Sequence, residues 1–117
     1  MNHLTPEERQ EIQDLLSLDE SLLYSLLPYH LHDGTQYSPQ GQIEVGRKIF
    51  AEIKPTIHRR VCKDWNGCEK IKNEQIQDNV ALVTSIADLI AGSCGGMPAF
   101  TLATIVVKIG IKQICNC

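Results

Sequence analysis

Residues 79–117 are the most apolar third of the chain and constrain everything that precedes them: NVALVTSIADLIAGSCGGMPAFTLATIVVKIGIKQICNC. From Val80 to Val107 the one formally charged residue is Asp88. Apolar residues recur at Val80, Val83, Ile86, Ala87 and Ile90, the spacing of an α-helix. Leu82 and Leu89 widen that stripe, so the helix is apolar around much of its girth and must sit centrally in a bundle or in lipid. Gly92, Gly95 and Gly96 end it, and Pro98 suits the first turn of a second helix carrying Leu102, Ile105, Val106, Ile109 and Ile114. The result is a helical hairpin that the rest of the chain either covers or leaves to a membrane.

Two charges interrupt the hairpin. Asp88 is expected to be satisfied inside the core by a neighbouring backbone or side chain, and the long side chain of Lys108 lies within its reach across the turn. Thr101 and Thr104 are expected to hydrogen-bond to the preceding helical turn. A membrane-spanning helix needs roughly 20 apolar residues. The first helix runs out at Gly92 and the second is broken by Lys108, so a hairpin buried in protein is the better reading.

The segments before the hairpin carry their own start signals. Thr5-Pro6-Glu7-Glu8 reads as a capping box with Pro at the first helical position, leading into Ile12, Leu15 and Leu16. Asp19 caps a second short helix bearing Leu22, Leu23, Leu26 and Leu27, which Pro28 ends. Ser38 or Pro39 opens a long amphipathic helix through Ile43, Ile49, Phe50, Ile53, Ile57, Val61 and Trp65. Pro55 lies inside that pattern and is expected to kink or split it near Ile53–Lys54. Asn66-Gly67 then marks a turn.

Charge is segregated along the chain. Residues 1–33 set Arg9 against Glu7, Glu8, Glu11, Asp14, Asp19, Glu20 and Asp33, while residues 34–73 hold eight basic and four acidic residues, although the whole chain carries only −3. That small negative total argues against general nucleic-acid binding. Glu7, Glu8 and Glu11 on the acidic helix, and Arg47, Lys48, Lys54, Arg59 and Lys63 on the middle helix, are the candidate contacts for a protein partner. The two segments could also lie against each other.

Chemistry-bearing motifs are sparse. His30-Leu31-His32-Asp33 resembles part of the HxHxDH signature of binuclear metallohydrolases, but Asp comes one position early and the later histidines are missing; the segment reads as a polar turn. Cys62 and His58 are spaced i, i+4 on a helix with Arg59 beside them, the pattern of an activated thiol. Cys62, Cys68, Cys115 and Cys117 are zinc candidates, yet their gaps are not the paired short gaps of structural zinc sites. The terminal Cys115-Asn116-Cys117 is similar to the prenylation ending of Rab-type GTPases, but no G-x-x-x-x-G-K-S/T loop accompanies it. No cofactor, metal or catalytic set is implied.

The N-terminus is acidic and polar where a signal peptide would be basic and then apolar, so a cytoplasmic address with reduced cysteines is expected. With 43% apolar residues and only 5% aromatic, the core must be aliphatic. The expected fold is all-α, a compact bundle of about five helices with the C-terminal apolar hairpin at its centre. It forms one domain over residues 1–117: an acidic helical unit (1–28), a kinked basic amphipathic helix (38–66) and the apolar hairpin (69–117). The expected function is a non-enzymatic interaction module, adaptor or accessory subunit. A membrane-inserting or pore-forming role for the hairpin is the alternative, and homodimerisation stays open.

Overall fold

The computed structural model describes residues 4–30, 38–72, 78–94 and 97–117, with backbone alone at 29 and 30. The fold is all-α. Among the described residues seven α-helices occur: α1 (Pro6–Ser17), α2 (Glu20–Leu26), α3 (Pro39–His58), α4 (Gly67–Lys72), α5 (Asn79–Ile90), α6 (Ala99–Ile109) and α7 (Ile111–Cys115). A 3-10 turn (Leu27–His30) extends α2, and a π-helical segment (Arg59–Asp64) extends α3.

Local sequence sets where most of these helices begin. The Thr5 hydroxyl accepts from the Glu8 N–H and the Glu8 carboxylate accepts from the Thr5 N–H, both at 3.1 Å, a complete capping box. Asp19 caps α2 by accepting from the Leu22 N–H at 2.9 Å, and Ser38 caps α3 by accepting from the Gly41 N–H at 3.1 Å. Asp78 does the same for α5 through the Val80 N–H at 3.0 Å. Each such cap is worth about 1 kcal/mol. The His32-Asp33-Gly34 turn and the Gly95-Gly96 pair lie outside the described residues.

The middle of the chain departs from expectation. Pro55 does not split the helix, because α3 runs unbroken through it to His58. An interior proline removes one backbone donor. Here Phe50 and Ile57, both buried, hold the helix on either side of that gap while Pro55 itself faces solvent. The irregularity falls four residues later. The Arg59 N–H is shared between the Pro55 and Thr56 carbonyls, and the helix then widens until the Trp65 N–H reaches back five residues to the Arg60 carbonyl at 3.0 Å. Asn66, in the left-handed region at φ 58°, turns the chain into α4. Gly67 follows because a Cβ there would stand 2.8 Å from the Val61 carbonyl oxygen.

The hub of the bundle is α6. Six consecutive residues, Thr101 to Val106, are buried on every side of it, as in a helix wholly surrounded by protein. It packs against α5, α1, α2 and α7. The aliphatic core drawn around it includes Ile12, Leu23, Leu27, Val83, Ile86, Ile90, Leu102 and Ile105. Three threonines, Thr84, Thr101 and Thr104, enter this apolar surround; Thr84 donates to the Val80 carbonyl at 2.8 Å and Thr104 to the Phe100 carbonyl at 2.7 Å. Helix α3 packs chiefly on α2, and its π-helical continuation reaches α5. At the α2–α3 crossing the backbones nearly touch, since a Cβ on Gly46 would lie 1.8 Å from the Tyr24 carbonyl oxygen. Tyr24 and Phe50 meet edge to face beside it, ring centroids 5.7 Å apart.

Three details of the hairpin are corrected. Asp88 is exposed on the outer side of α5 rather than satisfied in the core, and it makes no ion pair with Lys108. A helix apolar over much of its girth still has one narrow outward strip, and Asp88 occupies it. Pro98 is the residue before α6, not within its first turn. The second apolar helix is two helices: Gly110, at φ 103°, breaks it and starts α7 in a new direction. Among the described residues, no helix is long and apolar enough to cross a membrane.

Candidate functional site

The outer surface of α1 is a groove with an apolar floor and an acidic rim. Pro6, Leu15 and Leu18 form the floor, and Glu7, Glu11 and Asp14 stand along the edge with Gln10 and Ser17. The groove is shallow and widely open to solvent, with a volume of about 730 Å³. This grouping follows from helical geometry, because residues 7, 11 and 14 recur at steps of four and three and share one face. Gln10 donates to the Asp14 carboxylate at 2.8 Å, which orders that edge. Glu8 is absent from the groove; its carboxylate is turned back to the Thr5 N–H. Of the three expected acidic contacts, Glu7 and Glu11 are brought together and Glu8 serves the helix end. Asp14, Leu15 and Leu18 complete the groove. They were not singled out in the sequence as contacts, although the seven-residue repeat from Glu7 to Asp14 is visible there.

The basic residues of the middle helix are exposed but do not form one face. Arg47 and Lys54 lie on one line of α3, while Lys48 and Arg59 lie on a second line about a third of a turn away. Lys63 is exposed on the π-helical segment. The Arg47 guanidinium stacks over the Tyr24 ring, 4.8 Å from its centroid. Burial pushes the Tyr24 phenol up, the nearby Glu20 charge adds to that, and Arg47 opposes both. Arg47 is therefore partly engaged within the fold, through an aromatic ring and not through a carboxylate.

The segments of opposite sign do not neutralise each other. Among the described residues one ion pair occurs, Arg60 with Asp64 at 3.4 Å, and both belong to the π-helical segment. Arg60 also donates to the Ser93 hydroxyl at 3.4 Å and so ties that segment to the end of the apolar hairpin. Its Nε is buried and has no hydrogen-bond partner among the described residues.

The cysteines converge on one corner of the molecule, and they do so as disulfides. Cys62 bonds to Cys115 and Cys68 to Cys117, with Cα–Cα distances of 5.4 Å and 5.9 Å. This overturns the expectation of reduced thiols. It also removes the zinc candidates, because a structural zinc site requires the four sulfurs as thiolates. The pairing of Cys62 with His58 as an activated nucleophile fails for the same reason: the Cys62 sulfur is already bonded. The π-helical widening and the Gly110 break together set this corner, one carrying Cys62 and the other redirecting α7 toward it. Cys94 is the remaining thiol. It is buried, and burial pushes its pKa up, opposite to what a nucleophile needs.

Chemically the described surface offers charged and apolar contacts and two disulfides. No family model, curated protein or solved structure matches the chain.

Proposed function

We propose that the protein is a non-enzymatic helical interaction module, an adaptor or accessory subunit that binds protein partners through its charged surfaces. One observation carries this reading: the acidic residues of α1 and the basic residues of α3 are exposed and make no ion pair with one another among the described residues. Solvated charge alone would explain scattered residues. Glu7, Glu11 and Asp14 are instead gathered on the rim of an apolar floor, the arrangement of a groove that receives a basic amphipathic segment.

The two disulfides support an oxidising compartment for the folded chain, against the cytoplasmic address first expected. The membrane-inserting alternative gains no comparable support. Helices α5 and α6, of 12 and 11 residues, extend only about 16–18 Å, roughly half of a bilayer's hydrocarbon core. Their apolar surfaces are covered by α1, α2 and α7.

The reading is tested by immobilising three forms of the oxidised protein: the natural chain, Glu7→Lys/Glu11→Lys/Asp14→Lys, and Lys48→Glu/Lys54→Glu/Arg59→Glu. Proteins from the native extract retained by the natural chain should be lost from one reversed form and kept by the other, and should elute with rising salt. Identical retention by all three forms would sink the proposal.

A further inference from the structure

The two disulfides differ in their surroundings. Cys62, Cys68 and Cys115 are half-buried, whereas Cys117 is exposed. A cleft of about 430 Å³ opens on the Cys68–Cys117 bridge and does not touch Cys62 or Cys115. Its other lining residues are Glu69, Ile71, Lys72 and Lys112. That volume lies within the range of small-molecule sites.

The backbone puts both lysines beside the sulfurs. Lys72 follows Cys68 by four residues, one turn along α4, so the two side chains are neighbours on one face. Lys112 is brought to Cys117 because the Cys117 N–H donates to the Lys112 carbonyl at 3.0 Å, with Asn116 in the left-handed region closing the turn. The bridge thus has ammonium groups on both arms, Glu69 in the same wall, and Ile71 as an apolar surface. The complement of that lining is a small zwitterion with carboxylates for the lysines and an ammonium for Glu69.

We propose that this cleft is an exchange site for a small zwitterionic thiol bearing two carboxylates, and that such a thiol opens Cys68–Cys117 while leaving Cys62–Cys115 closed. The incoming thiolate attacks the exposed Cys117 Sγ. The Cys68–Cys117 S–S bond breaks and its electron pair leaves on Cys68 Sγ as a thiolate beside Lys72. The product is a mixed disulfide on Cys117. A second molecule of the same thiol attacks the small-molecule sulfur of that mixed disulfide and frees the Cys117 thiolate. Two small thiols are thereby oxidised to one symmetrical disulfide as one protein disulfide is reduced. Throughout, Cys62–Cys115 keeps α7 in place, so the exchange marks the surface without opening the core. This activity is independent of the partner-binding reading.

The test uses the full oxidised chain with reduced glutathione as the probe. Samples are quenched by alkylation and the opened bridge is identified by peptide mass spectrometry. The rate of opening at Cys68–Cys117 should saturate with glutathione, fall when S-methylglutathione competes, and exceed that at Cys62–Cys115 about tenfold, reflecting access. In Lys72→Gln/Lys112→Gln, both substitutions being on the surface, saturation should vanish and the rate should drop by roughly three- to tenfold, the scale of two partly screened charges. Folding of the variant is checked by circular dichroism, with Arg9→Gln, an exposed position on α1, as a control that keeps the natural rate. A rate linear in glutathione and equal to that of 2-mercaptoethanol at matched thiolate concentration would overturn the proposal. So would simultaneous opening of both bridges, or opening of Cys62–Cys115 first.

Discussion

Removing the disulfides one at a time should cost much less than their separate loop lengths suggest. Cys62–Cys115 and Cys68–Cys117 span 53 and 49 residues, and in the chain-entropy account a loop of that size is worth about 4 kcal/mol. The two loops are almost the same loop. Once Cys62–Cys115 is closed, the second bridge closes only the path from Cys62 to Cys68 and from Cys115 to Cys117, about eight residues, worth about 2.5 kcal/mol. The argument is symmetrical, so Cys62→Ala/Cys115→Ala and Cys68→Ala/Cys117→Ala should each lose about 2.5 kcal/mol, while the quadruple variant loses about 6.5 kcal/mol. The coupling between the bridges is then about 1.5 kcal/mol, well beyond the few tenths expected for independent sites. Urea unfolding of the four proteins under non-oxidising, non-reducing conditions measures it, and packing changes from Cys to Ala largely cancel in the cycle. Additive losses, or about 4 kcal/mol for either single bridge, would refute the nested-loop reasoning. A total of 6.5 kcal/mol is comparable with the whole stability of an ordinary small domain, so full reduction should leave the chain unfolded or nearly so.

Other outcomes follow from single residues. Gly46→Ala should destabilise the fold by more than 2 kcal/mol in urea unfolding, although helix propensity alone would stabilise it by about 1 kcal/mol; the new Cβ meets the Tyr24 carbonyl, which cannot move cheaply. Leu102→Ala, at the fully buried centre of α6, should cost about 2–5 kcal/mol, whereas Asp88→Asn should stay within about 0.5 kcal/mol because Asp88 is exposed and unpaired among the described residues. The Cys94 thiol has its pKa raised above the ordinary 9.0 by burial. Its contribution to stability is therefore fully present below pH 9.0 and is lost as pH rises through the folded-state value; stability curves of the natural chain and Cys94→Ala should run parallel below pH 9.0, the natural chain should lose stability relative to the variant between pH 9.0 and the folded-state value, and the two should run parallel again above it.

Legibility in the sequence followed the range of the interaction involved. Capping is local, and the Thr5–Glu8 box, Asp19 and Ser38 all sit where residue type and spacing put them. The apolar hairpin is legible because periodicity over a dozen residues reports burial directly. Disulfide pairing is not local: it depends on Gly110 breaking α6 and on the π-helical widening after Pro55, and neither interrupts the apolar repeat that hides them. Lys108 and Ile109 lead through Gly110 to Ile111 and Ile114 with no lapse in pattern, so one helix was expected where two occur. On the surface, Glu7 and Glu11 share a groove because helical spacing requires it, while the further role of Glu8 in the cap competes with its role as a contact.

The place of α6 in the chain has a consequence for how the protein is made. Ile12 and Leu15 of α1 and Leu23 of α2 are buried against a core whose central helix is synthesised about ninety residues later. At ribosomal speeds of roughly 5–20 residues per second, that interval is about 5–18 seconds. Vectorial synthesis therefore delivers the leucine-rich N-terminal helices into solution well before their burial partner exists. Folding must wait for the late helix, and during the wait Ile12, Leu15 and Leu23 stand uncovered on otherwise acidic helices, within reach of a holdase.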